Sequence, residues 1–186
     1  SAKQGLRTLV IDLDPQANSS QYLLGEDATY SADKAALEPN IENFFDDILG
    51  STQQKGLISN AIGSILKSPR GKGLESYVHR TSFENLYLIP ASPSLGALEH
   101  ALESKHKIYK LRDSIQSLSA RYDRIFIDTP PAFNFFTLSA LISADRVLIP
   151  FDCDVFSKRA LQTSIENVLE TQDDHNDRLE IEGIVV

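Results

Sequence analysis

The sequence predicts an α/β fold: a doubly wound, mostly parallel sheet with helices on both faces. Three observations predict it. Short apolar runs alternate five times with amphipathic helical patterns, which is typical of βαβ units. Four of these runs end in Pro or in Asp-x-Pro, which stops a strand. The segments between them are short, so we expect residues 1–186 to form a single domain without repeats.

The first strand begins at Arg7 and ends in two carboxylates, Asp12 and Asp14, immediately before Pro15. Alternation along a strand directs both carboxylates to the same face. Like charges this close disfavour each other's ionised form, which is costly unless a cation or polar ligand lies nearby. We therefore favour a functional site here over a solvated loop. Asn18–Ser20 add short polar groups at its mouth and also fit ordinary helix capping.

A second strand of the same kind lies at Asp123–Asp128 and is followed by Thr129, Pro130 and Pro131. Its continuous apolar run is typical of a strand buried on both faces of a parallel sheet. Ligands of such sheets bind at the carboxyl ends of the strands, so Asp128 is well placed to hold a hydrated Mg²⁺ beside a nucleotide phosphate. The alternative, an aspartate that only caps the next helix, remains open for this strand considered alone.

The other elements follow from hydrophobic spacing and from helix start and stop signals. Asn40 caps an amphipathic helix that Gly50 ends, and residues 57–66 form a second helix that stops at Pro69. The remaining elements are a strand at 86–90, one long helix from Ser94 to about residue 120, a buried helix at 134–143, a buried strand at 146–150, a helix capped by Ser157 and a last strand at 179–186.

The most basic segment is Pro69–Gly73, near Lys67, His79 and Arg80. It contains Gly and Lys, but it lacks the G-x-x-x-x-G-K-[ST] pattern and does not follow a strand. A solvated loop is therefore favoured over a phosphate cradle, and contact with DNA or with a partner protein stays a minor alternative.

Composition narrows the function classes. A net charge of −8 opposes nucleic-acid binding by the surface as a whole. The single Cys153 excludes an internal disulfide framework and a multi-cysteine metal or iron–sulfur site within these residues. No apolar run approaches the ~20 residues of a membrane span, and no signal peptide is visible. We expect a cytoplasmic protein without membrane attachment.

Both ends of the sequence have the pattern of interior segments. There is no Met, and Ser1–Gly5 has the pattern of a last helical turn with Gly5 as its C-cap. The other end stops within an apolar strand pattern at Val186. We expect this single domain to be truncated at both ends.

Considered together, the two acidic strands resemble a specific family. Lys3–Asn18, with its Asp-x-Asp-Pro-Gln motif, resembles the switch I segment of the ParA/Soj partition ATPases, the deviant Walker-motif family that also contains MinD. Tyr122–Pro131, with Ile-Asp-x-Pro-Pro, resembles the Walker B and switch II segment of the same family. Leu88–Ser92 and Ala144–Pro150 resemble two further family segments. These segments occur in the same order as in the family and extend over nearly the whole chain. The similarity is weakest between Asp27 and Glu84.

The resemblance implies a P-loop NTPase-like fold and roles for particular residues. Asp128 would hold Mg²⁺ through water, Asp14 would position or activate the water that attacks ATP, and Asp12 would be a supporting acid. The other residues implied to contact the nucleotide are Pro15, Gln16, Asn18, Thr129, Pro130 and Pro131. Phosphoryl transfer needs a metal, a positioned water and charge neutralisation, so carboxylates without a Ser-His pair fit this chemistry.

The resemblance also implies partners, and the sequence departs from the family pattern at one point. It implies ATP and Mg²⁺ as cofactors, a homodimer, a ParB-like activator, non-specific DNA bound mostly through regions outside this chain, and a nucleoid-associated location. The family's Lys-Gly-Gly-x-Gly-Lys-Thr phosphate loop is not among these residues, and the strand that carries it should be central in the sheet. The alternative is therefore a non-catalytic ParA-like adaptor that binds proteins. An iron–sulfur carrier of the related scaffold family is disfavoured because Cys153 stands alone.

Overall fold

The computed structural model describes residues 1–25, 36–58, 72–151 and 157–186. Six strands are found in this part of the chain: β1 Thr8–Asp12, β2 His79–Arg80, β3 Leu86–Ile89, β4 Arg124–Asp128, β5 Arg146–Pro150 and β6 Glu180–Val185. The helices are α1 Asn18–Leu24, α2 Ile41–Ile58, α3 Glu99–Ser104, α4 Lys110–Ile115, α5 Phe135–Ser143 and α6 Ser157–Asp174, with 3₁₀ turns at Ala2–Gln4, Leu74–Tyr77 and Pro93–Leu98.

The strands form a four-stranded sheet in the order β2-β3-β1-β4 and a two-stranded sheet of β5 and β6. β1 pairs in parallel with both β3 and β4, and β5 pairs in parallel with β6. Only the short β2 is antiparallel to its neighbour among the described strands. The α/β class and the mostly parallel sheet are therefore confirmed, and the carboxyl ends of β1, β3 and β4 meet at one rim.

The main core lies against one face of the four-stranded sheet. Leu9 and Ile11 of β1 are fully buried and belong to the same cluster as Phe45 of α2 and Phe135 and Phe136 of α5. Rings in this cluster meet edge to face, with 5.7 Å between the centroids of Phe45 and Phe136. Such packing of large apolar side chains fixes the position of β1.

The start of α2 follows the prediction, but its end does not. The Asn40 side chain accepts a hydrogen bond from Asn43 N–H at 3.1 Å, and the Asn43 side chain accepts one from Asn40 N–H at 2.9 Å. This is a reciprocal cap with Asn in place of Glu or Gln. Gly50 does not end the helix, which continues to Ile58. A single glycine costs a helix only about 1 kcal/mol, so by itself it need not end one. Most of the predicted second helix and Pro69–Gly71 lie outside the described residues.

The predicted long helix after residue 94 is wrong, because the chain forms a 3₁₀ turn and two short helices there. The turn is capped by Ser92, whose Oγ accepts from Ser94 N–H at 3.2 Å. The break between α3 and α4 lies at His106, which adopts a left-handed φ of 52°. Lys107 N–H donates to Leu102 C=O at 3.0 Å and His106 N–H donates to Glu103 C=O at 2.9 Å. This is a Schellman C-cap, which closes a helix and redirects the chain.

β5 and β6 are found where the sequence predicts them, but β5 is not buried as expected. Only Ile149 of β5 is buried, while Leu148 is 52% exposed. The expectation that β4 is buried on both faces is also wrong, because Phe126 of β4 is 45% exposed. β4 and β5 each end a sheet, so their outer edges are unpaired within the described residues. The burial of a strand depends on the other elements that pack against it, and the strand's own sequence does not specify these elements.

Other local predictions are confirmed. Gly5 caps the first turn with a φ of 83°, and its N–H donates to Ala2 C=O. The predicted helix at 134–143 is found as α5, and Asn134, which was not predicted as its cap, accepts from Phe136 N–H and Thr137 N–H, both at 3.1 Å. α6 begins at Ser157, as predicted, but the side chain of Ser157 is outside the described part. None of the described helices combines the length and the apolar character that crossing a membrane requires.

Candidate functional site

Two carboxylates meet where β1 and β4 end. Asp12 and Asp128 are register partners at the ends of these parallel strands. The N–H of Leu13, which lies between Asp12 and Asp14, donates to the Asp128 carbonyl at 2.8 Å. Parallel pairing thus brings the two acidic segments, which are distant in sequence, to one rim of the sheet, as the sequence predicts.

Asp12 is the buried member of the pair, with no exposed surface. Its Oδ1 accepts a hydrogen bond from Asp14 N–H at 3.0 Å, and its Oδ2 accepts from Ser20 N–H at 2.8 Å and from Ser20 Oγ at 2.6 Å. Burial raises the pKa of Asp12 above its ordinary value; the bonds from Ser20 and Asp14 oppose this rise, and the nearby charge of Asp128 adds to it. Three donors leave this carboxylate little capacity for a ligand, so its geometry suits positioning of the loop and of α1.

Asp14 lies beyond the end of β1, so strand alternation no longer sets its direction. Its carbonyl accepts from Ala17 N–H at 2.8 Å, and its Oδ1 accepts from Gln16 N–H at 2.9 Å. This is a tight turn with Pro15 in its second position, and the Asp14 side chain stabilises it. Asp14 is half-buried and Asp12 is fully buried. The expectation that both carboxylates share one strand face is therefore replaced by a buried acid and a more accessible one.

The turn delivers the chain into α1 through Ala17, which is fully buried and left-handed, with φ 55° and ψ 31°. Two consecutive serines in the first turn of α1 then contact the two strand-end carboxylates. Ser20 Oγ donates to Asp12, and Ser19 Oγ donates to Asp128 Oδ2 at 2.6 Å. α1 is thus joined to the carboxyl ends of both β1 and β4.

The remaining sequence-predicted residues lie in the two segments that follow these strands. Pro15 is half-buried, whereas Gln16 and Asn18 are exposed. After β4, Thr129 is half-buried, Pro130 is buried and Pro131 is exposed. All six belong to segments that begin at the same rim.

The segment after β4 is tied to α5. Thr137 Oγ1 donates to the Ala132 carbonyl at 2.7 Å, and Asn134 caps the helix. The Glu99 side chain at the start of α3 accepts from Phe135 N–H at 3.2 Å. A movement of this segment would therefore be transmitted to the start of α5.

Two contacts at the rim were missed by sequence reasoning. Ser20 Oγ accepts a hydrogen bond from Ala91 N–H at 2.9 Å, which links α1 to the segment after β3. The second contact is the hydrogen bond from Phe135 N–H of α5 to the Glu99 side chain. Both pairs are distant in sequence, and no local pattern indicates them. The Ser19–Ser20 pair itself was visible as short hydroxyl side chains at the mouth of the site.

The described residues at the rim offer one carboxylate for Mg²⁺, that of Asp128, and no complete set of protein ligands. Within the described ranges, no group of three or more His, Cys, Asp or Glu side chains could hold a metal ion. Mg²⁺ does not need such a cage, because it keeps several waters and is commonly bound by one or two carboxylates and by substrate phosphates. Asp128 is half-buried, and its Oδ1 accepts no hydrogen bond from the described part of the chain. A single accessible carboxylate of this kind fits a hydrated Mg²⁺ that a phosphate also binds.

Comparison with known proteins places this site in context. A family model described as an AAA domain matches residues 1–181. The chain is 30% identical over 181 residues to the chromosome partitioning protein ParA of Myxococcus xanthus, covering 97% of this chain and 53% of that protein. It is 28% identical over 183 residues to the sporulation initiation inhibitor protein Soj of Bacillus subtilis, covering 98% of this chain and 60% of Soj.

The fold is also shared with a solved structure. Cobyrinic acid a,c-diamide synthase from Mycobacterium smegmatis, crystallised with an ATP analog and magnesium, superposes with a TM-score of 0.75 at 25% identity, covering 98% of this chain and 62% of that one. The chain therefore spans a little over half the length of the relatives that it matches. The chain belongs to the AAA domain family whose model it matches, and proteins named ParA and Soj are among those to which it is similar.

Proposed function

We propose that this chain is part of a ParA-type ATPase that hydrolyses Mg-ATP and uses the cycle to partition DNA or to position a cargo. In the intact protein a phosphate loop would have to complete the site, because residues 1–186 contain no Lys-Gly-Gly-x-Gly-Lys-Thr stretch. The relatives named ParA and Soj support the partition role.

One observation carries the proposal. Asp12 and Asp128 are register partners at the carboxyl ends of parallel strands, and Asp14 follows β1 at once. Parallel α/β sheets bind ligands at this end, and phosphoryl transfer depends on a metal and a positioned water at such a rim. The Mycobacterium smegmatis structure with its ATP analog and magnesium supports nucleotide and metal binding in proteins of this fold.

We assign the roles by accessibility. Asp128, with Oδ1 unoccupied by the described residues, would accept a hydrogen bond from a metal-bound water. Asp14, which is more accessible than Asp12, would orient the water whose oxygen attacks the γ-phosphorus while the bond to the β,γ-bridging oxygen breaks. Asp12 would hold the loop that carries Asp14, through its bond from Asp14 N–H. When bound, Mg-ATP would supply the reactive phosphoryl group and the cation that neutralises its charge.

The two segments after the strands would respond to the γ-phosphate. Pro15, Gln16 and Asn18 would contact the nucleotide from the β1 side. The segment from Thr129 to Pro131 would contact it from the β4 side and transmit its state through Thr137 and the start of α5. This resembles the ordering of switch loops by a terminal phosphate in other nucleotide hydrolases.

ATP turnover in the intact protein tests the proposal. Asp14→Ala should lower the rate at least tenfold, since it removes the group that orients the attacking water. Asp113→Ala is the matched control, because this surface carboxylate lies in α4 and, in the described part of the chain, contacts Lys110 and Arg112 of the same helix. Equal turnover in the wild type, Asp14→Ala and Asp113→Ala would remove Asp14 from the mechanism.

The partners of the intact protein are also proposals. We propose an ATP-dependent homodimer, a ParB-like activator, and non-specific DNA bound mostly through regions outside this chain, with a nucleoid-associated cytoplasmic location. The net charge of −8 is consistent with DNA contact being made elsewhere. Sedimentation with and without Mg-ATP tests the dimer, and a salt titration of DNA binding tests the electrostatic contact.

A protein-binding adaptor is the second candidate, and the exposed apolar side chains favour it. Phe126 on β4, Leu148 on β5 and Ile184 on β6 are about half exposed, on strands at or beside unpaired sheet edges. Exposed apolar patches commonly mark interaction sites. A thermal shift of the intact protein on adding Mg-ATP separates the candidates, because a ligand that binds only the native state raises the melting temperature and an adaptor without nucleotide binding shows no shift.

A further inference from the structure

Ser19 is a residue to which neither the sequence motifs nor the proposed roles assign a task. It lies in the first turn of α1, and it is half-buried. Its Oγ donates to Asp128 Oδ2 at 2.6 Å, across 109 positions of the sequence. Hydrogen bonds from a hydroxyl to an ionised carboxylate are short and strong, and this one has such a length.

The neighbouring serine provides a comparison within the same turn. Ser20 donates to Asp12, a carboxylate that is fully buried and already bound by two backbone N–H groups. The Asp128 carboxylate receives only the one bond from Ser19 among the described residues. The two hydroxyls therefore act on different carboxylates: Ser20 completes a buried structural acceptor, whereas Ser19 holds the accessible one.

This arrangement has a consequence for the oxygen atoms of Asp128. With Oδ2 bonded to Ser19, rotation of the carboxylate about its last bond is restrained, and Oδ1 is left free of partners in the described part of the chain. A carboxylate that binds a metal or a metal-bound water through one oxygen is generally oriented by a hydrogen bond to its other oxygen. Removing the donor of that hydrogen bond weakens metal binding by about 10–100-fold.

We propose that Ser19 is a positioning residue for the metal-holding carboxylate, keeping Asp128 oriented toward a hydrated Mg²⁺ at the nucleotide. The inference rests on the proposed function and deepens it. It also makes α1 sensitive to the metal, because the same hydroxyl that orients Asp128 belongs to the helix that follows the Asp14 turn. No other hydroxyl in the described residues bonds to Asp128.

Metal affinity of the intact protein tests the inference, measured by titrating Mg²⁺ into the ADP complex in a calorimeter. Ser19→Ala should weaken Mg²⁺ binding about tenfold, and Ser19→Thr, which keeps the hydroxyl, should restore it. ADP affinity without Mg²⁺ should be unchanged in both variants, a result that a merely structural loss of α1 would not give. Asp128→Asn serves as the reference for loss of the metal contact.

Three results would overturn the inference. If Asp128→Asn weakens Mg²⁺ binding and Ser19→Ala does not, Asp128 holds the metal without help from Ser19, and the proposed function survives. If Ser19→Ala weakens ADP binding equally with and without Mg²⁺, its role is structural. If the wild type shows no Mg²⁺ effect at all, the inference and the proposed function fail together.

Discussion

Asp12 and Asp128 stand directly opposite each other as the last register partners of β1 and β4, yet their environments differ sharply. The Asp12 carboxylate has no exposed surface and accepts three hydrogen bonds, whereas Asp128 is half-buried and its carboxylate accepts one from the described residues, from Ser19. The pair thus separates a structural acid from an accessible acid at one rim.

The first prediction concerns pH. Burial raises the pKa of Asp12 above its ordinary value of 3.8, so between that value and its native pKa the folded chain binds more protons than the unfolded chain. The contribution of Asp12 to stability is therefore complete below about pH 4 and decreases as the pH rises through the native pKa. Urea unfolding of the wild type and Asp12→Asn over pH 3.5–7 measures this.

In that series, the difference in unfolding free energy between the wild type and Asp12→Asn should fall with rising pH. The asparagine does not titrate, so the comparison cancels the other carboxylates, which the two proteins share. A difference that grows with pH would mean that the three hydrogen bonds outweigh burial, and the direction assigned to the Asp12 pKa would be wrong.

The second prediction concerns Ser20. Its hydroxyl donates to Asp12 and accepts from Ala91 N–H, and all three residues are buried. Ser20→Ala should lower the free energy of unfolding by about 1–3 kcal/mol, since it leaves a buried N–H without a partner and takes one donor from Asp12. The denaturation midpoint in urea gives the measurement.

Ser104→Ala is the matched control for Ser20→Ala. The Ser104 hydroxyl also belongs to a helix, but Ser104 is exposed and its hydroxyl donates to Ala101 C=O within the same helix. Its removal should change stability by less than ~0.5 kcal/mol. Similar losses in the two variants would show that the contact between α1 and the segment after β3 adds nothing particular to stability.

The third prediction concerns the break between α3 and α4. His106 is exposed and occupies the left-handed C-cap position with a φ of 52°, a conformation that costs a residue with a Cβ about 1–2 kcal/mol. His106→Gly removes this cost but gives the unfolded chain more freedom. The net result should be a gain of about 0.5–1 kcal/mol in unfolding free energy.

His106→Val provides the opposite test at the same position. A β-branched residue is poorly tolerated at positive φ, so this variant should be less stable than the wild type. Thermal unfolding of both variants would rank glycine first and valine last. If valine proved as stable as glycine, the left-handed turn would not govern this connection.

The sequence indicated the strands better than the helices. β1 and β4 are short apolar runs followed by proline, and this local chemistry determines where they end. Gly50 was a weak stop signal, because a single glycine costs a helix only about 1 kcal/mol, and the break at His106 depends on a helix cap. The exposure of Leu148 could not be predicted, because burial depends on which elements cover β5.

The sequence predicted which segments form the candidate site but not the detailed contacts within it. Carboxylates at the ends of parallel strands must meet at one rim, so proximity of the Asp12 and Asp128 segments followed from the fold class. The different burial of Asp12 and Asp14 did not, because β1 ends before Asp14. The Ser20–Ala91 contact was equally hidden, since it joins residues 71 positions apart.

Mg²⁺-dependent ATP turnover of Asp128→Asn in the intact protein tests the central claim most directly, with Asp123→Asn as its control. Asp128 is the last residue of β4, whereas Asp123 precedes the first residue of the same strand, where it contacts Arg7. We predict that Asp128→Asn loses at least tenfold in turnover and needs more Mg²⁺, while Asp123→Asn retains the wild-type rate and Mg²⁺ dependence. Wild-type turnover and Mg²⁺ dependence in Asp128→Asn would contradict a metal site at this rim.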